Sequence, residues 1–421
     1  MPDADAARPV TVAPGGAAAG SGSASSGATP ARAVRLRVPF LLVALLIGVA
    51  SRLYSGLLVA AAAGRQEPNS WTGSPVTYTG MTMMWDGTWY RRIAEGGYPA
   101  VLPHDAAGAL QQNEWAFYPL FPMACRAVMA VTGLGFREVG GSLSVGLSLV
   151  ATVLVAVCLR RFMSDRGALL ATAVWACFFA APTMNLAYTE SLAVLLLAGF
   201  LLLVLDRRWW AAAAVALLVG VARPVAVPLG VVALVACAHR LLRVSRPVAA
   251  REGVAMLASL VACGVAGFTW PAVAWWVTGS RTAYTDTMTT WRAAPEIVPF
   301  RPWLDNARYF FGEGTGPWAL AAAVVGYAIL ALGSWAWRLP PAVHAWVVAY
   351  PLYLGAVLDP ISSTYRYLIP LFPVAGVLVG LRAPRWRQWA VGVGLVVAGC
   401  AAQVWWVDSF LVFRPPTSWP P

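Results

Sequence analysis

The chain has 421 residues, 59% of them hydrophobic and only 11% charged. A soluble globular protein carries about 25% charged residues, so an ordinary soluble enzyme or binding domain is excluded. The net charge of +12 comes from 30 basic residues, all of them arginine; they are scattered over loops rather than striped along one face, which argues against a nucleic-acid partner.

The expected class is an all-α polytopic membrane protein. Backbone groups in lipid must pair within their own segment, and the alternating strands of a barrel are missing. An Ala/Gly/Val/Pro-rich composition without lysine fits a GC-rich, bacterial coding bias. The 6 cysteines lie in or beside apolar runs with no CxxC pair, and there are 3 histidines. They read as small buried hydrophobes, not as a zinc site or a disulfide framework.

In chain order, residues 1–35 are rich in Ala, Gly, Ser and Pro and are expected to be disordered. A cleaved secretory signal is not expected, because the first apolar run starts late and many follow. Arg32, Arg35 and Arg37 precede that run and place the N-terminal tail in the cytoplasm. The first span is 38–63, followed by a large polar extracytoplasmic loop, 64–115. Segment 116–132 is apolar but interrupted by Pro119, Pro122 and Arg126, and is expected to dip into the membrane or lie along it. If it crossed, Arg160, Arg161 and Arg166 would fall outside.

Spans 142–159, 168–186 and 190–205 follow, with Asp206, Arg207 and Arg208 inside. Residues 209–238 form two halves of about 14 residues, roughly 21 Å each, broken at Ala222-Arg223-Pro224. Basic residues at both ends make this a hairpin with Arg223 at its outer tip; one long span kinked at the proline is the alternative. Spans 253–278 and 317–337 bracket a second outer loop, 279–316, rich in Trp, Arg and Pro. Spans 342–358, 367–381 and 388–407 complete a transmembrane domain of 36–410, leaving 411–421 as a short outer tail. The count is about 11 spans, within about 10–12.

No GxxxxGK[ST], GxGxxG after a strand, or HExxH occurs, so no nucleotide, cofactor or metal is expected. The polar surface faces outside, where an energised donor would be lipid-linked. An inverting glycosyl transfer needs a carboxylate to take the acceptor's proton and cationic groups to stabilise a departing phosphate. Within WDGTWYRRIAEGGYP, Asp86 suits the first role, with Trp85, Tyr90 and Arg91 as substrate-binding neighbours. Asp86 is also placed to N-cap the helix that follows. Glu114, just before AFYPLFP, is the second candidate catalytic carboxylate. Glu95 reads as a solvated partner of Arg91 or Arg92, and His104 and Asp105 as loop surface. Arg223, Arg366 and Tyr367 are candidates for gripping a phosphate, against simple snorkelling of the arginines. Tyr188 and Glu190, in NLAYTES, are polar where only a tight turn is needed, and read as ligand-orienting groups.

Together, WDGTWYRRIAEGGYP, Glu114 with AFYPLFP, LAYTES, ARP and RYLIPLFP resemble the PIG-V-type mannosyltransferases, in that order over residues 40–380. The resemblance implies a GT-C-class fold with a large first outer loop, Asp86 as its essential acidic residue, and polyprenyl-phosphate-mannose as donor. The β-linked mannose would be transferred with inversion to an α-mannoside. Eukaryotic members add the second mannose to glycosylphosphatidylinositol precursors; in a bacterial chain the acceptor would be a cell-envelope glycolipid, polysaccharide or secreted protein. The N-terminal tail and the second outer loop match nothing in that family. The expected function is a multi-pass plasma-membrane mannosyltransferase with an extracytoplasmic site. The alternatives are a transporter or lipid flippase, suggested by the break at Arg223-Pro224, and a non-catalytic scaffold. Against transport, the carboxylates are concentrated in one loop and no inverted repeat is visible.

Overall fold

The computed structural model describes residues 38–292, 298–360 and 362–415; the expected disordered tail, 1–35, and the end of the chain from 416 lie outside the described residues. The fold is helical. Among the described residues there is no strand, only an isolated bridge between His104 and Leu110. Helix α1 (Val38–Ala63) leads into the short α2 (Tyr78–Thr82) and α3 (Asp86–Gly96), then α4 (Leu120–Thr132), α5 (Phe136–Leu159) and α6 (Asp165–Ala176). Next come α7 (Glu190–Leu205), α8 (Trp209–Gly220), α9 (Ala226–Arg243) and α10 (Ala250–Thr278). The remainder comprises α11 (Ala283–Thr289), α12 (Arg301–Phe311), α13 (Gly316–Leu332), α14 (Pro341–Val357), α15 (Phe372–Val379) and α16 (Arg385–Trp406).

Among the described residues, 6 helical segments are long and apolar enough to cross a membrane: α1, α5, α9, α10, Gly316–Arg338 and Arg385–Leu411. Their faces are sorted as lipid requires. On α1, Leu42, Leu46, Leu53 and Leu57 are exposed, whereas Ala44, Gly48, Ser51, Arg52, Ser55 and Val59 are buried. Lipid tails are as apolar as leucine, so helices associate through small and polar residues that allow close approach. The α8–α10 contact follows the same rule, with Ala212, Ala216 and Gly220 buried on one side and Ala255, Ser259, Ala262 and Ala266 on the other. A Cβ on Gly220 would lie 2.6 Å from the Ala266 Cα. Gly220→Leu should therefore separate the two helices and lower stability by about 1–3 kcal/mol, the usual cost of overpacking, read as a lower melting temperature in detergent. An unchanged melting temperature would show that α8 and α10 are not held by this contact.

Several expected spans take a different form. The span expected at 168–186 stops as a helix at Ala176, and its remainder turns through a 3-10 segment, Ala181–Asn185. The α-helix cannot run on through Pro182, and buried Arg52 on α1 holds the break open by donating to the Ala176 carbonyl (2.9 Å), the Ala181 carbonyl (2.5 Å) and Asn185 Oδ1 (3.2 Å). Those carbonyls would be consumed by a continuous helix. The span expected at 367–381 is helical only as α15, after a 3-10 stretch, Ser362–Leu371, because Pro370 cannot sit inside an α-helix, whereas Pro373 falls in the first turn of α15 where no donor is needed. Residues 209–238 form two helices broken at 221–225, the hairpin form of the two alternatives. In 116–132 the helix is α4, of 13 residues, about 20 Å long at 1.5 Å per residue. Arg126 ties it to α3 through the Ala94 carbonyl at 2.5 Å. The expected loop 279–316 contains α11 and α12.

Candidate active site

Two helix starts are brought together by backbone pairing. The Ala187 N–H donates to the Thr82 carbonyl (2.8 Å), and the Tyr188 hydroxyl donates to the Met84 carbonyl (3.0 Å). This sets Asp86, the first residue of α3, near Glu190, the first residue of α7. Both carboxylates thus stand where unsatisfied N–H groups favour negative charge. The sharp turn into α3 is made by Trp85, with φ 58° and ψ −116°, a conformation uncommon for a bulky residue. Its ring is held by Trp71 (centroids 4.5 Å apart) and Phe413 (6.0 Å). Asp86 does not cap α3; Trp85 occupies the cap position without a side-chain bond, and the Asp86 carboxylate turns elsewhere.

It turns to Arg366. Arg366 Nη2 lies 2.5 Å from Asp86 Oδ2, and its Nη1 lies 3.5 Å from Glu190 Oε1. The same Glu190 oxygen takes Arg223 Nη2 at 2.6 Å. The Arg366 guanidinium also packs over the rings of Tyr188 (4.9 Å) and Tyr367 (5.2 Å), and that of Arg223 over Tyr367 (5.1 Å). Two carboxylates and two arginines make a neutral cluster. Neutrality matters because a lone buried charge would be strongly destabilising. Glu190 is 1% exposed and Arg366 6%, while the Asp86 side chain keeps 18%.

The arginines are held by their segments, not by chance of rotamer. Residues around Arg366 are gripped through main-chain carbonyls: Tyr367 by the Tyr350 hydroxyl (2.8 Å), Ile369 by Trp175 (2.9 Å) and Pro370 by Trp346 (3.0 Å). The turn carrying Arg223 is fixed by the Leu120 N–H on the Val221 carbonyl (2.9 Å) and the Tyr353 hydroxyl on the Pro224 carbonyl.

Beside the cluster is a cavity of about 580 Å³. Asp86, Tyr90, Arg223 and Tyr367 reach its wall, and Arg366 and Glu190 lie behind it. Val225, Leu354, Val357 and Leu358 give it an aliphatic side, and Tyr284, Met288 and Arg292 enter from α11 and just beyond. The buried Tyr90 hydroxyl is 3.4 Å from that of Thr189. Burial, then the nearby Asp86 and Glu190 charges, pushes this phenol above its ordinary pKa, so it is a hydrogen-bonding group rather than a phenolate.

The structure therefore brings together Asp86, Tyr90, Tyr188, Glu190, Arg223, Arg366 and Tyr367. It leaves Arg91 and Glu114 apart. Arg91 lies exposed 3.9 Å from Glu95, and Glu114 opens a 3-10 turn, Glu114–Ala116, off the cavity wall. In that turn the buried place goes to Trp115, packed on Tyr98 (4.7 Å) and Trp270 (5.1 Å). His104 and Asp105 are loop residues; the Asp105 carboxylate accepts from the N–H groups of Ala107 (2.9 Å) and Ala109 (2.8 Å). Sequence reasoning passed over Tyr350, Tyr353, Tyr284 and Arg292. The two tyrosines of α14 had a legible signal in their i, i+3 spacing on one face of an apolar helix. Among the described residues no three His, Cys, Asp or Glu side chains group as metal ligands. No protein-family model matches this chain, and no curated protein matches it either.

Proposed function

We propose that this membrane protein is a GT-C-type mannosyltransferase that moves mannose from polyprenyl-phosphate-mannose to an acceptor hydroxyl on a glycolipid, polysaccharide or protein. The observation that carries the reading is the cavity of about 580 Å³ with Asp86 and Arg223 on one side and Val225, Leu354, Val357 and Leu358 on another. A polar end with a proton acceptor, joined to an aliphatic end, suits a substrate with a polar head on a hydrocarbon chain. The similarity of the motifs to the PIG-V type supports the choice of sugar.

In this mechanism the Asp86 carboxylate takes the acceptor's hydroxyl proton as its oxygen attacks the anomeric carbon from the face opposite the phosphate. The bond from that carbon to the phosphate oxygen breaks, and its electron pair leaves with the phosphate. The products are an α-mannoside and polyprenyl phosphate. Arg366 lies behind the wall and orients Asp86, while Arg223 faces the cavity. Of the shorter apolar helices, α7, α8, α14 and Ser363–Val379 add to the six long ones toward the expected count of about 10–12 spans, with α4 dipping into the membrane or lying along it. The N-terminal tail is then cytoplasmic and the α2–α3 segment lies outside the plasma membrane.

The test is incubation of purified protein with radiolabelled polyprenyl-phosphate-mannose and a lipid and glycan extract of host membranes. Label should pass to a new product, whose identity names the acceptor. No transfer from verified donor to any of several acceptor extracts would sink the proposal. The break between α8 and α9 beside the cavity favours a second reading, a lipid flippase; vectorial movement of the donor without a new product would select it.

A further inference from the structure

The ionic cluster is balanced before any substrate arrives. Arg366 bridges Asp86 (2.5 Å) and Glu190 (3.5 Å) from behind the cavity wall, and Arg223 reaches the wall already paired with Glu190 at 2.6 Å. Two cations matched by two carboxylates present no net positive charge to a phosphate. The same cavity has a third arginine. Arg292 lies on its wall just after α11, with Tyr284 and Met288, and its guanidinium makes no hydrogen bond or ion pair with any described residue. The hydroxyls of Thr285 and Thr289 line this part of the wall too, but they are spent on the carbonyls of Thr282 (2.9 Å) and Asp286 (2.7 Å).

We propose that Arg292 is the group that binds the phosphate of the lipid-linked donor, an assignment that rests on the transferase reading above. Its guanidinium is permanently charged and forked, which suits bidentate contact with phosphate oxygens. Phosphate bound there adds a negative charge beside a positive one that makes no ion pair with any described residue, and leaves the Asp86–Arg366 pair intact. The base therefore keeps its orientation while the donor is held. Division of labour follows: Arg366 positions the base, Glu190 neutralises the inner arginines, and Arg292 selects an anionic head.

The experiment measures binding of fluorescent polyprenyl phosphate and of uncharged polyprenol to the full chain in detergent. Wild type should prefer the phosphate. Arg292→Gln should weaken phosphate binding by about 10- to 100-fold, the loss typical of one charge-assisted hydrogen-bonded contact, with polyprenol binding unchanged. In the transfer assay the same variant should raise KM for the donor more than it lowers kcat. A wild type without preference for the phosphate would overturn the transferase reading itself. A wild-type preference kept in Arg292→Gln would overturn the Arg292 assignment alone. A second measurement needs no variant: phenylglyoxal modification of Arg292, followed by peptide mass spectrometry, should be slowed by polyprenyl phosphate and not by polyprenol. Equal modification in both would also overturn the assignment.

Discussion

Asp86→Asn should leave the protein folded and able to bind polyprenyl phosphate while lowering mannose transfer by about 10²- to 10⁴-fold, the range that losing a general base produces. Asparagine keeps the size of the side chain and still accepts a hydrogen bond from Arg366. That arginine also keeps Glu190 at 3.5 Å and its packing on Tyr188 and Tyr367. Because the substitution leaves two arginines against the one carboxylate of Glu190, the melting temperature should fall as well, and the loss in kcat is read on protein that remains folded at the assay temperature. Glu95→Gln is the matched control, since Glu95 is a half-exposed partner of Arg91 at 3.9 Å. Transfer by Asp86→Asn within a few-fold of wild type would remove Asp86 from the chemistry. It would leave the ionic cluster as a purely structural joint between α3, α7 and the Ser362–Leu371 segment.

The second large effect lies away from the cavity. Arg52→Leu should cost about 3–5 kcal/mol of stability, because buried acceptors left without a donor each cost about 1–3 kcal/mol. Arg52 supplies donors to the Ala176 carbonyl at 2.9 Å, the Ala181 carbonyl at 2.5 Å and Asn185 Oδ1 at 3.2 Å. Leucine fills most of the space and satisfies none of them. Because 181–185 leads directly into Tyr188 and Glu190, the same substitution should loosen the site and reduce donor binding. Thermal unfolding in detergent, beside the exposed-face control Leu53→Ala, checks it. Equal melting temperatures for Arg52→Leu and the control would mean that the break after α6 is held by something other than Arg52.

Much of the fold was legible because membrane helices are written in run length and composition. The first span, 38–63, coincides with α1, and 190–205 coincides with α7. Pro182 and Pro370 mark the breaks after α6 and before α15 in the sequence, but the form those breaks take was not legible. One depends on a side chain 124 to 133 positions earlier in the chain; the other is fixed by Trp175, Trp346 and Tyr350 donating to main-chain carbonyls from other helices. An apolar window reports how greasy a segment is, not which of its carbonyls a distant donor will claim.

The candidate site divides in the same way. Residue chemistry singled out Asp86, Glu190, Tyr188, Arg223, Arg366 and Tyr367, since ionisable groups beside apolar runs need a reason to be there. Glu114 and Arg91 carried the same signal, and the structure sets them off the cavity wall. What the sequence determined by itself is a helical membrane chain with an unusual set of charges at the ends of its apolar runs. Only the tertiary structure decided that Arg366 stands behind Asp86, that Glu190 serves two arginines, and that Arg292 shares the cavity. The physical reason is that composition and run length are local properties of the chain. Ion pairing joins residues from 33 positions apart, in Glu190–Arg223, to 280, in Asp86–Arg366, and is set by which helix starts the backbone brings together.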